Sequence, residues 1–82
     1  MTLTVRYFAG AAAATGTTQE SVSLPDGARV SDLVAMVLER HGPTLARVLA
    51  VASILVDEVA ATPGTPLPET GIVDVLPPFA GG

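Results

Sequence analysis

The chain has 82 residues, 49% apolar and 15% charged, which makes one small domain with enough apolar side chains for a core and no room for a second. Cysteine is absent, so disulfides, thiolate metal sites, iron–sulfur clusters and cysteine nucleophiles are excluded together. Eight acids against four cations leave a net charge of −4, the wrong sign for a nucleic-acid surface, and the aromatics Tyr7, Phe8 and Phe79 are too few to stack bases.

Thr2 to Phe8 alternates as a half-buried strand, with Leu3, Val5 and Tyr7 on one face and Thr2, Thr4 and Arg6 on the other. Phe8 breaks that alternation, so one of the two neighbouring aromatics reaches the outer face. Ala9 to Thr15 is Ala-rich and stopped by Gly16, a short helical turn too small to stand alone. Glu20 to Leu24 alternates again with Val22 and Leu24 inward. Pro25-Asp26-Gly27 then makes a turn from a fixed φ, a capping side chain and freedom at positive φ.

The main helix is predicted over Val30 to Arg40, where Val30, Leu33, Val34, Val37 and Leu38 form one apolar stripe. Asp32 and Arg40 complement its dipole, and His41-Gly42-Pro43 ends it. Leu45 to Ala50 reads as a short second helix and Ser53 to Val56 as a strand. Asp57-Glu58 turns into a short strand at Val59-Ala60. In the Pro-rich loop Thr62 to Pro68, Leu67 is the expected buried plug. Ile72 to Leu76 is the last strand, with Val73 and Val75 inward and Asp74 outward. An amphipathic helix on one face of a mixed sheet makes an α+β roll with a single two-layer core. Parallel neighbours at the first and last strands would make it a β-grasp, an adjacency that periodicity does not supply.

Residues 1–76 form the folded body and residues 77–82 an extended tail. Pro77 and Pro78 forbid further ladder pairing and hold the backbone extended; Phe79, Ala80, Gly81 and Gly82 follow. Six residues reach at most roughly 20 Å, and the last three are slim enough to enter a narrow pocket. Phe79, an aromatic on an exposed tail, is expected to be buried by a partner. A terminal carboxylate is ionised at neutral pH and a poor electrophile. It reacts only after conversion to a mixed anhydride such as an acyl-adenylate, which a sulfur source turns into a thiocarboxylate and an amine into an amide.

The strand Val5-Arg6-Tyr7-Phe8-Ala9 running into an Ala-rich helix, Leu33 in the main helix, and above all the ending Val73-Asp74-Val75-Leu76-Pro77-Pro78-Phe79-Ala80-Gly81-Gly82 resemble the small sulfur-carrier proteins of the MoaD/ThiS type. Among these is the small subunit of molybdopterin synthase. The resemblance implies a β-grasp, ubiquitin-like fold. It implies adenylation of Gly82 by an E1-like activating enzyme, which uses ATP, then sulfuration to a thiocarboxylate. The loaded tail would insert into the large subunit of molybdopterin synthase through Pro77, Pro78, Phe79, Ala80 and Gly81 and donate sulfur in molybdenum cofactor biosynthesis. The chain itself would be a carrier without an active site of its own and without a permanently bound cofactor. A carrier for cysteine or thiamin biosynthesis and a ubiquitin-like protein modifier are the alternatives. Thr70-Gly71 stands where the family commonly has Gly-Asp, and Arg29 where it often has a Thr or Ser cap, with Ser31 able to cap a later start.

Arg6 and Phe8 are candidates for a partner interface, although a solvated Arg6 is the simpler expectation. His41, the one histidine, reads as a surface residue complementing the helix dipole. Asp57-Glu58 reads as a turn and not a metal or acid–base pair, because adjacent strand residues point to opposite faces. The Gly10 to Gly16 stretch lacks the spacing and the lysine of a phosphate loop. No metal site is expected. The longest nearly apolar run, Val48 to Val56, is far short of the roughly 20 residues that span a membrane, so a cytoplasmic location is the expectation.

Overall fold

The computed structural model describes residues 1–78. Alternation along the first strand, β1 (Thr2–Tyr7), becomes burial: Leu3, Val5 and Tyr7 are sealed inside while Thr2, Thr4 and Arg6 keep contact with solvent. The chain continues through α1 (Gly10–Thr15), β2 (Gln19–Ser23), α2 (Val30–His41), α3 (Pro43–Leu49), β3 (Ser53–Val56), β4 (Val59–Ala60) and β5 (Thr70–Leu76). Each predicted element is present, with ends displaced by a residue or two. Frayed ends and exposed first turns carry little periodic signal, which accounts for the displacement.

The sheet order is β2-β1-β5-β3-β4. β1 and β5 run parallel with Val5 opposite Val73 and Tyr7 opposite Val75; the other pairs are antiparallel. First and last strands side by side at the centre of a mixed sheet, with helices over one face, make this a β-grasp of the ubiquitin-like kind. Inward residues of β1, β2 and β5 meet Ala11 of α1, Val30, Leu33 and Val37 of α2, and Leu45 of α3 in one cluster. Full burial of each Val or Leu stabilises the fold by about 1.5–3 kcal/mol. Leu67 plugs that cluster from the Pro-rich loop as expected.

The start of α2 differs from expectation. Ser31 is not the cap: Val30 N–H donates to Thr65 O at 3.0 Å and Ser31 N–H to Pro63 O at 2.9 Å. The Asp32 carboxylate accepts from Arg29 N–H at 2.7 Å, and Arg29 Nη1 donates to the Gly64 carbonyl at 2.6 Å. Arg29 has no acceptor atom of its own, so carbonyls of the Pro-rich loop do the work that a Ser or Thr would do at the helix start. At the other end Gly42 N–H donates to Leu38 O at 2.8 Å, and Pro43 opens α3 at a position where its missing N–H costs nothing.

Candidate functional site: the root of the tail

β5 lies between β1 and β3, so whatever follows it leaves from the middle of the sheet. Leu76 makes the last pair, with Ser53. Pro77 and Pro78 have no N–H to continue the ladder. Pro77 is buried and Pro78 exposed, so the backbone emerges from the body between them. Phe79, Ala80, Gly81 and Gly82, which the sequence marks as the inserting and reacting segment, lie outside the described residues.

The outer face of the sheet beside this exit carries both body residues singled out from the sequence. Arg6 and Asp74 are cross-strand partners, and the guanidinium grips the carboxylate with two bonds, Nε–Oδ1 2.5 Å and Nη2–Oδ2 2.8 Å. That corrects two expectations. Asp74 does sit on the outer face, but it is only 5% exposed because the neighbouring strand's Arg6 covers it. Arg6, with its side chain 38% exposed, is a partner in an ion pair and not a solvated cation. The hydrogen bond to Asp74 raises the Arg6 pKa further above its already high ordinary value. Such a bidentate pair neutralises both charges at the centre of the face and fixes both side chains.

The Arg6 guanidinium carbon also stands 5.7 Å from the centre of the Phe8 ring, within cation–π range. Of the two neighbouring aromatics, Tyr7 is buried and Phe8 is the exposed one, at 37%. Phe8 N–H donates to Val75 O at 3.3 Å, which holds its backbone against the strand that becomes the tail. The next residue, Ala9, has φ 48° and ψ −123°, a region that L side chains rarely adopt.

At the other end of β5, Asp57 and Glu58 form the expected turn, with φ of 46° and 69°. The Asp57 carboxylate accepts from Ile72 N–H at 2.9 Å. A Cβ on Gly71 would stand 2.7 Å from Asp57 Oδ1, so glycine at this position is the condition for that bond. The pair is therefore a structural turn that anchors the start of β5, as read from its spacing.

A cluster that the sequence reading missed lies on the helix side of the sheet. Glu20 accepts from Tyr7 Oη at 2.6 Å and His41 Nε2 at 2.5 Å on one oxygen, and from Arg40 Nη1 at 2.8 Å on the other. The His41 ring meets Tyr7 edge-on, centroids 5.9 Å apart. His41 is thus mostly covered, its side chain 17% exposed, and not the surface residue expected. Burial would raise the Glu20 pKa, but hydrogen bonds from Tyr7, His41 and Arg40 outweigh it and lower the value. Burial, helped by the bond to Glu20, pushes the Tyr7 hydroxyl far above its ordinary range. The signal was present: Glu20, Val22 and Leu24 share one parity, which puts an acid in an inward position, and a buried acid requires donors. This cluster ties β1 and β2 to the end of α2.

The larger surface concavity, about 580 Å³, lies between α2 and the β3–β4 hairpin. Its lining includes Val34, Leu38, Ile54 and Ala60 and no titratable side chain. It offers apolar contact and no acid or base.

A model of the ThiS family matches residues 5–82, nearly the whole chain. The chain belongs to the ThiS family. The match takes in Arg6, Phe8, Asp74 and the entire tail. Solved structures agree on the fold of this ThiS-family chain. SAMP1 from Haloferax volcanii superposes with a TM-score of 0.89 at 23% identity, covering 100% of both chains. The putative molybdopterin converting factor subunit 1 from Pyrococcus furiosus gives 0.86 at 28% identity, over 96% of this chain and 99% of that one. A chain in the complex of subunits 1 and 2 of the molybdopterin-converting factor from Helicobacter pylori 26695 gives 0.72 at 24% identity, with both chains fully covered. No curated protein sequence matches. The chain is therefore a MoaD/ThiS-type, ubiquitin-like sulfur-carrier fold, a type whose members are generally not catalysts themselves. Among the described residues, no helix is long and apolar enough to cross a membrane, and no three His, Cys, Asp or Glu side chains cluster as metal ligands.

Proposed function

We propose that this ThiS-family chain carries sulfur on its terminal glycine for molybdopterin biosynthesis, as the small subunit of a molybdopterin synthase. The observation that carries the proposal is the match at 28% identity, over nearly the full length of both chains, to a putative molybdopterin converting factor subunit 1. In this reading a Gly82 carboxylate oxygen attacks the α-phosphorus of ATP on an E1-like enzyme and pyrophosphate leaves. A sulfur nucleophile then attacks the acyl carbon, AMP leaves, and a thiocarboxylate remains. The chain has no cysteine, so the sulfur is supplied entirely from outside. Pro77 and Pro78 set the direction of the tail, Phe79 anchors it, and Ala80 and Gly81 give the clearance to reach an active site in the large subunit. Residues 77–82 act as the working arm and the body before them as the handle.

Intact mass of the protein recovered from its own cells tests this: one oxygen replaced by sulfur is expected. Deleting Gly82 should abolish loading and leave the thermal midpoint unchanged. Sulfur transfer by the truncated chain would overturn the mechanism. Covalent adducts of this chain on other proteins would instead assign it the modifier role. Loading without transfer to a pterin precursor would point to a carrier for cysteine or thiamin biosynthesis.

A further inference from the structure

Phe8 is held by more contacts than a surface aromatic needs. Its backbone is pinned to Val75, its ring is faced by a guanidinium that Asp74 fixes with two bonds, and the residue after it is strained. Ala9 bears a side chain in a conformation normally left to glycine, and such outliers persist where the surroundings over-determine them, often at functional sites. Arg6 Nη1 makes no hydrogen bond among the described residues, because Nε and Nη2 are the atoms spent on Asp74. The ring and that free edge sit together on the face from which the tail emerges.

We infer that Arg6, Asp74 and Ala9 are positioning residues that preset the Phe8 ring as the body's anchor for the protein that receives the tail. The inference rests on the carrier reading and adds to it the body contact and the chemistry of its partner. That partner presents an apolar pocket for the Phe8 ring, with a carbonyl or carboxylate oxygen at its rim for Arg6 Nη1. A tail that reaches no more than roughly 20 Å brings its acceptor's surface up against the tail root, and Phe8 is the large apolar side chain exposed there. An ion pair already made within the face means that docking covers no unpaired charge. A preset ring loses little rotamer freedom on binding.

The test uses the full chain as the varied substrate in ATP–pyrophosphate exchange by the adenylating enzyme of the same cells. Phe8→Ala should raise KM about tenfold with kcat unchanged, as loss of a buried aromatic anchor does. The paired change Arg6→Gln with Asp74→Asn keeps the two strands hydrogen-bonded but removes the cation over the ring. It should raise KM about threefold, again without change in kcat, and Arg6→Lys should recover part of the loss. Side-chain couplings measured by NMR should show Phe8 in one χ1 rotamer in the parent chain and averaging in the paired variant. A KM raised by Phe8→Ala but not by the paired change, or a Phe8 rotamer equally fixed in both, overturns the positioning role while leaving the carrier reading intact. An unchanged KM for Phe8→Ala overturns the anchor itself. No exchange with the parent chain overturns the carrier reading, and the anchor's partner with it.

Discussion

Replacing Glu20 by Gln removes one charge at a junction where three donors converge. In the parent chain one oxygen takes Tyr7 and His41 and the other takes Arg40. Glutamine keeps one acceptor oxygen, which can stay with Tyr7 and His41, but its NH₂ then faces the Arg40 guanidinium and that bond is lost. Two bonds to a charged acceptor become bonds to a neutral one, a loss of about 1 kcal/mol each. The exposed Arg40 contact contributes no more than about 0.5 kcal/mol. Relief of the carboxylate's desolvation returns about 1 kcal/mol. The net cost at neutral pH is about 1.5 kcal/mol, a fall in the thermal midpoint of about 6–12 °C for a domain of this size.

The sign with pH follows from the lowered pKa of Glu20. Its contribution is complete above the unfolded-state value near 4.5 and is lost as pH falls through the lower folded-state value. Urea unfolding at pH 7 and in progressively stronger acid should therefore show parent and variant converging, because glutamine does not titrate. Equal stabilities at pH 7, or a gap that persists undiminished in acid, would refute the account of the cluster.

Other outcomes follow from the same structure. Ala9→Gly should raise stability by about 1 kcal/mol, since relief of about 1–3 kcal/mol of backbone strain outweighs the roughly 0.4–1 kcal/mol that glycine adds in unfolded-chain entropy; a lower urea midpoint would show that Ala9 is not strained. Leu33→Ala, at a side chain sealed between α2 and the sheet, should cost about 2–5 kcal/mol. That is a large part of the total for so small a domain, so a loss below about 1 kcal/mol in urea unfolding would place Leu33 outside the core.

Much of the body was legible because burial and period coincide. Leu3, Val5 and Tyr7, the stripe from Val30 to Leu38, and the plug at Leu67 each announce their environment through spacing along the chain. The tail was legible for a different reason: Pro-Pro after a strand followed by Gly-Gly restricts the backbone by composition alone. Glu20 was legible in principle from its parity but was passed over, because an acid on an inward position has meaning only when its donors are known. Those donors come from β1 and α2, and no local pattern links them to β2.

What the amino-acid order determined by itself is therefore local: which segments are strands or helices, which faces are apolar, where the ladder stops. Only the tertiary structure decided that β1 and β5 run side by side, and that one pairing produces everything functional around the tail. It places the exit at the centre of the sheet and sets Arg6 opposite Asp74, residues far apart in the chain. It also turns two charges that looked solvated into a neutral pair beneath Phe8. Periodicity records which way a side chain points; the residue it meets across a strand pair depends on loop closure and register, which the whole core selects at once.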